Sequence, residues 1–258
     1  MAHLFRGRGQ PKSRPNPQSS RTQVLPETTW ANEVMPTGIP PTDKVVITIA
    51  RQFGSGGTDI GRILARESNL TYLDREIIDE VARRLGVNTQ QIEEQEGQAA
   101  GSVRHILEAI QASHLFTVNY NTFFGPDMAS NRVRELAYLR LTQKVILELA
   151  TQGNAVIIGR GSQFLLHNAP RTLHIYIFAP LPHRIERVME SFHLDYASAQ
   201  GLIEQRDYEF DDYARRFYGF NRHQPDLYHL LINTGIFSPV LAADFIRQAL
   251  PVAKEFGA

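Results

Sequence analysis

The chain of 258 residues has the apolar and charged content of an ordinary globular protein and is long enough to bury a sizeable core. Lys plus Arg and Asp plus Glu both number 27, so no net charge steers it toward nucleic acid or an anionic membrane, and any anion binding must be local. The absence of cysteine excludes disulfides, thiolate catalysis and cysteine-based zinc sites. With no apolar run of about 20 residues and no secretory signal, the expectation is a soluble cytoplasmic protein without a membrane partner or a specific nucleic-acid partner.

Seven of the 14 prolines (Pro11, Pro15, Pro17, Pro26, Pro36, Pro40 and Pro41) precede Lys44, among polar residues. Such a segment buries too little apolar surface to fold alone, so residues 1–43 read as a disordered tail and 44–258 as a single domain. Arg6, Arg8, Lys12, Arg14 and Arg21, with no acidic residue before Glu27, make the tail either a weak anion-binding arm or simply solvated chain.

From Lys44 the pattern becomes regular. Val45 to Ala50 is a β-branched run suited to a buried parallel strand. A glycine-rich turn and a helix follow, the helix marked by Ile60, Ile63 and Leu64 and ending near Asn69. Leu70 to Leu73 is a second strand, and Arg75 to Leu85 a second helix closed by Gly86. Val87 to Gln143 reads as interrupted helix with no assignable chemistry, and a further helix ends at Gln152-Gly153. Strands follow at Ala155–Ile158, Leu173–Phe178 and Leu230–Ile232, with a helix carrying Arg184, Arg187 and Met189 after the second of these and a C-terminal helix after the third. Five apolar strands separated by helices predict an α/β fold with a doubly wound parallel sheet, ligands sitting at the carboxyl ends of the strands.

The loop after the first strand is Arg51-Gln52-Phe53-Gly54-Ser55-Gly56-Gly57-Thr58. Its glycines let successive backbone N–H groups converge, and the following helix adds the positive end of its dipole, which together make a phosphate cradle. Laid over the Walker A pattern, Gly56 takes the second glycine and Thr58 the Ser/Thr position whose hydroxyl reaches Mg²⁺, while Arg51 replaces the first glycine and Gly57 the lysine. A tight strand-to-helix turn without a ligand is the plainer alternative. The histidines show no metal-ligand spacing.

The segments ITIARQFGSGGTDIGRILA, YLDREII, AVIIGRGSQFLL, LHIYIFAP and LYHLLINT, in this order, resemble the cytidylate kinase-like family, P-loop proteins related to the nucleoside monophosphate kinases. The resemblance covers nearly all of Lys44 to Gly257, and an Arg-Gln-aromatic-Gly-Ser-Gly-Gly loop without the Walker lysine is characteristic of that family. It implies a P-loop kinase fold with a helical substrate region and a lid. It also implies ATP-dependent, Mg²⁺-assisted phosphoryl transfer to a nucleoside monophosphate or another small phosphorylated acceptor. Arg51, Gly54, Ser55, Gly56, Gly57 and Thr58 would then hold the donor, with Thr58 at the metal and Arg51 partly replacing the lysine.

Arg160, within Gly159-Arg160-Gly161, would contact the acceptor phosphate, unless it makes a sheet-end salt bridge. Asp74 and Arg75 would border the acceptor, where cytidylate kinase proper has Thr-Gly in place of Arg75-Glu76, and Asp74 is equally suited to cap the second helix. Glu204 to Arg216 resembles the lid, with Arg206 and Arg215 as its catalytic cations, or else is a solvated charged helix. Family members often carry an arginine three residues after the aspartate corresponding to Asp207, where this chain has Phe210; the Asp-Arg spacing recurs at Asp212 and Arg215. Tyr228 to Thr234 reads as a strand whose Asn233-Thr234 end approaches the donor base, although a turn needs no ligand. Two readings remain, an active kinase and a catalytically weak nucleotide-binding regulatory module of the same fold.

Overall fold

In the computed structural model, the described residues are 44–85 and 131–253, all within one compact unit, Pro36–Ala258. The proline-rich segment 1–43, the stretch 86–130 with the helix closure expected at Gly86, and residues 254–258 lie outside them. Five strands appear in chain order, β1 (Val46–Arg51), β2 (Thr71–Leu73), β3 (Ala155–Ile158), β4 (Thr172–Phe178) and β5 (Leu230–Asn233). All pair in parallel, in the order β2-β3-β1-β4-β5. The sequence places each of these strands to within one residue. β1 is central and successive crossovers pass to either side of it, so the crevice at its carboxyl end is the topological switch point.

Alternation along the strands distributes the core between two faces. Ile47 and Ile49 of β1 with Val156 and Ile158 of β3 face α1 (Gly57–Glu67) and α7 (Pro239–Ala253), which contribute Ile60, Leu64 and Ile246. Val46, Ala155 and Ile157 face the other way, onto α2 (Arg75–Leu85) and α3 (Asn131–Gln152), through Ile77, Val81, Val145 and Ile146. Helices therefore cover both faces, and β-branched side chains fill each. α4 (Ser162–Leu165) is a single turn after β3.

The hairpin of α5 (Leu181–Phe192) and α6 (Tyr196–Tyr218) buries Ile185, Val188, Ala199 and Ile203 as its own small core. Phe53 of the glycine loop packs onto that cluster, so the hairpin stands directly over the loop. Asp195 caps α6 by accepting from the Ser198 N–H at 2.8 Å, and left-handed Gly219 ends it. Among the described residues no helix is long and apolar enough to cross a membrane.

Candidate functional site

The loop expected to cradle phosphate connects β1 to α1 at the switch point. Gly54 (φ 76°) and Gly56 (φ 80°) are left-handed, a conformation glycine adopts without the steric cost of a Cβ. Gly56 occupies the N-cap of α1 and supplies no side-chain cap, which leaves the amides of the first turn open to an external acceptor. The loop is shaped by hydrogen bonds of its own: the Gln52 N–H donates to the Ile177 carbonyl at 3.0 Å and the Ser55 hydroxyl to the Gln52 carbonyl at 2.8 Å. Gln52 Oε1 in turn accepts from the Ala179 N–H at 3.1 Å, linking the loop to the end of β4.

The two departures from the Walker pattern are one packing solution. A Cβ on Gly57 would lie 2.8 Å from Arg51 Cβ, closer than real Cβ atoms approach, so the arginine at the first-glycine position occupies the space a lysine stem would need. A Cβ on Gly159 would lie 2.1 Å from Arg51 Nη1. Arg51 thus runs from the strand end across Gly57 to the Gly159 turn. Among the described residues its guanidinium has no ion-pair partner within bonding distance. Burial pushes its pKa below the ordinary value, with Asp74 opposing and Arg160 reinforcing the shift. An incompletely neutralised cation beside open backbone N–H groups favours an anion.

The turn after β3 is unusual. Gly159, Arg160 and Gly161 all have positive φ (65°, 59° and 71°). For Arg160 that conformation costs about 1–2 kcal/mol, the kind of local strain that concentrates at functional sites. The Tyr213 hydroxyl donates to its carbonyl at 3.4 Å. Asp74 follows β2 and accepts from the Tyr72 hydroxyl at 3.2 Å, and burial, with Asp74 next, raises the pKa of that phenol. Arg51, Asp74 and Arg160 therefore converge at the carboxyl ends of three adjacent strands.

The other expected residues are placed differently. Arg75 lies on the exposed start of α2, 3.8 Å from Asp79. Arg206 is buried and bonds Glu209 at 3.0 Å. Arg215 leaves 65% of its side chain exposed and sits 3.9 Å from Asp212 along α6. Thr58 is in the first turn of α1 and, among the described residues, its hydroxyl makes no hydrogen bond.

Several contacts escaped sequence reasoning because their partners are remote in the chain. Asp207 accepts from the Phe53 N–H at 3.0 Å, and Arg184 of α5 donates to the Phe53 carbonyl at 3.2 Å while pairing with Asp207. Thr234, after β5, donates its hydroxyl to the Ser55 carbonyl at 2.7 Å. Arg222 donates to the Arg51 carbonyl at 2.8 Å. Arg187 of α5 lies against Gly56, whose added Cβ would come within 2.5 Å of Nη1, and reaches Asp59 at 3.3 Å.

Residues 46–236, strands and loop included, match the cytidylate kinase-like family. The chain belongs to that family. It is similar to the cytidylate kinase of Pyrococcus horikoshii, with 24% identity over 210 residues spanning 81% of this chain and 90% of that protein. A stretch of 136 residues is 33% identical to the uronate isomerase of Corynebacterium glutamicum; it covers 52% of this chain but spans about a quarter (26%) of that longer protein. Among solved structures, an uncharacterized protein from Eubacterium ventriosum shares the fold, with a TM-score of 0.57 at 18% identity over 81% of this chain and 99% of that one.

Proposed function

We propose that this family member is an ATP-dependent phosphotransferase acting on a nucleoside monophosphate or a similar phosphorylated small molecule in the cytoplasm. The observation that supports this most is the pairing of an uncapped glycine cradle with Arg51, whose guanidinium, drawn away from water, lacks a salt-bridge partner among the described residues. Phosphoryl transfer asks little covalent chemistry of a protein; it asks for in-line placement and neutralisation of the charge on the transferred group. The loop amides and Arg51 would hold the donor phosphates, with Arg187 at the outer rim.

Arg160 would meet the acceptor phosphate with its planar fork, and Asp74 would border the acceptor. Arg206 and Arg215 of α6 would add cations on closure, which also excludes water. Among the described residues no group of three or more His, Asp or Glu side chains is disposed to hold a metal ion. Thr58, with its uncommitted hydroxyl, would hold Mg²⁺, which would supply neutralisation of the charge on the donor phosphates.

A coupled ADP-release assay over a panel of nucleoside monophosphates, beside calorimetry with Mg²⁺ and a non-hydrolysable ATP analogue, tests this reading. Expected are saturable turnover with at least one acceptor, analogue binding, and a melting temperature raised by the analogue. Binding without turnover on any acceptor would establish the regulatory module instead, a reading favoured by Gly57 standing where the Walker lysine would be. No binding at millimolar nucleotide would overturn both.

A further inference from the structure

We propose that Arg222 is a positioning residue that fixes Arg51 over the phosphate cradle and couples the loop to helix α6, with Phe210 as the spacer between the two guanidinium groups. The inference rests on the reading of the cradle as a nucleotide site. Arg222 lies in the segment between α6 and the 3₁₀ turn Pro225–Leu227 and is 4% exposed. Its guanidinium makes three kinds of contact at once: Nη1 donates to the Arg51 carbonyl at 2.8 Å, Nη2 to Asp207 at 3.3 Å, and Nε to Asp211. Asp207 is the carboxylate that also receives the Phe53 N–H, so one arginine fastens both ends of the Arg51-Gln52-Phe53 segment to the helix.

Phe210 stands one turn after Asp207 and next to Asp211 on α6, and its ring centroid lies 5.6 Å from the Arg51 guanidinium carbon and 5.4 Å from that of Arg222. An aromatic face accepts a cation, and here it serves two while keeping them apart.

The two arginines differ in how their charge is balanced. Burial opposes the Arg222 charge, but Tyr176, Asp211 and Asp207 outweigh it and hold its pKa above the ordinary value. Asp207 and Asp211 occupy the Arg222 guanidinium, leaving it a structural cation and not a phosphate ligand. Arg51, shifted in the opposite direction, keeps its charge available.

The test is a double-mutant cycle between Arg222→Met and Arg51→Met in the full chain, read by calorimetric affinity for Mg²⁺ with adenylyl imidodiphosphate and by kcat. Because part of the effect of Arg222 passes through Arg51 and part through the loop backbone, each single variant is expected to weaken analogue affinity by about tenfold or more, and the double variant to lose clearly less than the product of the two single losses. Arg222→Lys retains a charge for the carboxylates but not the forked reach, and is expected to recover affinity only in part, with the same non-additivity. If Arg222→Met does not fold, the Lys variant carries the cycle. Additive losses, or an Arg222 variant that lowers the melting temperature while leaving analogue affinity unchanged, would overturn the inference and leave the nucleotide site intact. A wild-type protein that binds no analogue would overturn the site, and this inference with it.

Discussion

Restoring the Walker lysine should harm this protein. In Gly57→Lys the new Cβ meets Arg51 Cβ at 2.8 Å and Cγ at 3.2 Å, atoms near the backbone that cannot swing aside as a side-chain tip would. Overpacking of that kind costs about 1–3 kcal/mol, while replacing glycine at the start of a helix returns about 0.5–1 kcal/mol of backbone entropy. The net loss is about 1–2 kcal/mol, which for a chain of this size lowers Tm by about 2–8 °C. Displacing Arg51 by a fraction of an ångström also takes its guanidinium off the phosphate path, so analogue affinity should fall by about tenfold despite the added positive charge.

The second half of the experiment is Arg51→Gly combined with Gly57→Lys, which rebuilds the ordinary arrangement and should recover the stability that the single change loses. Differential scanning calorimetry and analogue titration on the two single variants and the double variant suffice. A Gly57→Lys protein with unchanged Tm and equal or better affinity would refute the idea that the two departures are one packing solution.

Two further outcomes are accessible to the same instruments. Thr234→Val removes the hydroxyl that donates to the Ser55 and Phe178 carbonyls at 2.7 and 3.2 Å, and should cost about 1–2 kcal/mol together with analogue affinity, whereas Thr234→Ser should retain both; equal melting curves for Val and Ser would refute this clamp. His174, buried in β4 with Nδ1 facing the Thr48 hydroxyl at 2.7 Å and Nε2 the Leu166 carbonyl at 3.2 Å, is kept neutral by burial, then His229 and His167, which press its pKa down to about 4 against the opposing Leu166 carbonyl. The unfolded chain binds this proton near pH 6.5 and the folded one only near 4, so stability is fully present above 6.5 and is lost as pH falls from 6.5 to 4, by about 2 kcal/mol at pH 5. Urea titrations at pH 7.5 and 5 should show that difference in wild type and a much smaller one in His174→Leu, from a lower baseline.

What was legible in the sequence was local. β-branched runs, glycines and helix periodicity fix the five strands and the loop because each signal is complete within ten or so residues. The Arg51–Gly57 exchange was visible as two oddities six positions apart, but their common cause appears only once Arg51 Cβ is seen against Gly57. Asp207 read as a lid charge, yet its carboxylate is spent on the Phe53 N–H and on Arg184. Arg222 carried no periodic or motif signal at all. Thr234 was noticed as the end of a strand directed at the donor base, while its hydroxyl holds the loop itself. Contacts of this sort join residues 131 to 179 positions apart, and no window along the chain contains both partners.

Those separations have a consequence for how the protein is made. Residues 51–58 are synthesised before the residues that anchor them: the Ser55 carbonyl meets the Thr234 hydroxyl only after a further 179 positions have been added, and the Arg184, Asp207 and Arg222 anchors arrive in between. A nascent chain that stops short of β5 possesses the glycines without the geometry they adopt in the fold. The geometry of the loop is therefore completed last, when the segment carrying Arg184 to Thr234 docks, and if the loop is the proposed nucleotide site a nucleotide column should retain chains that include β5 while letting those that stop short of it pass.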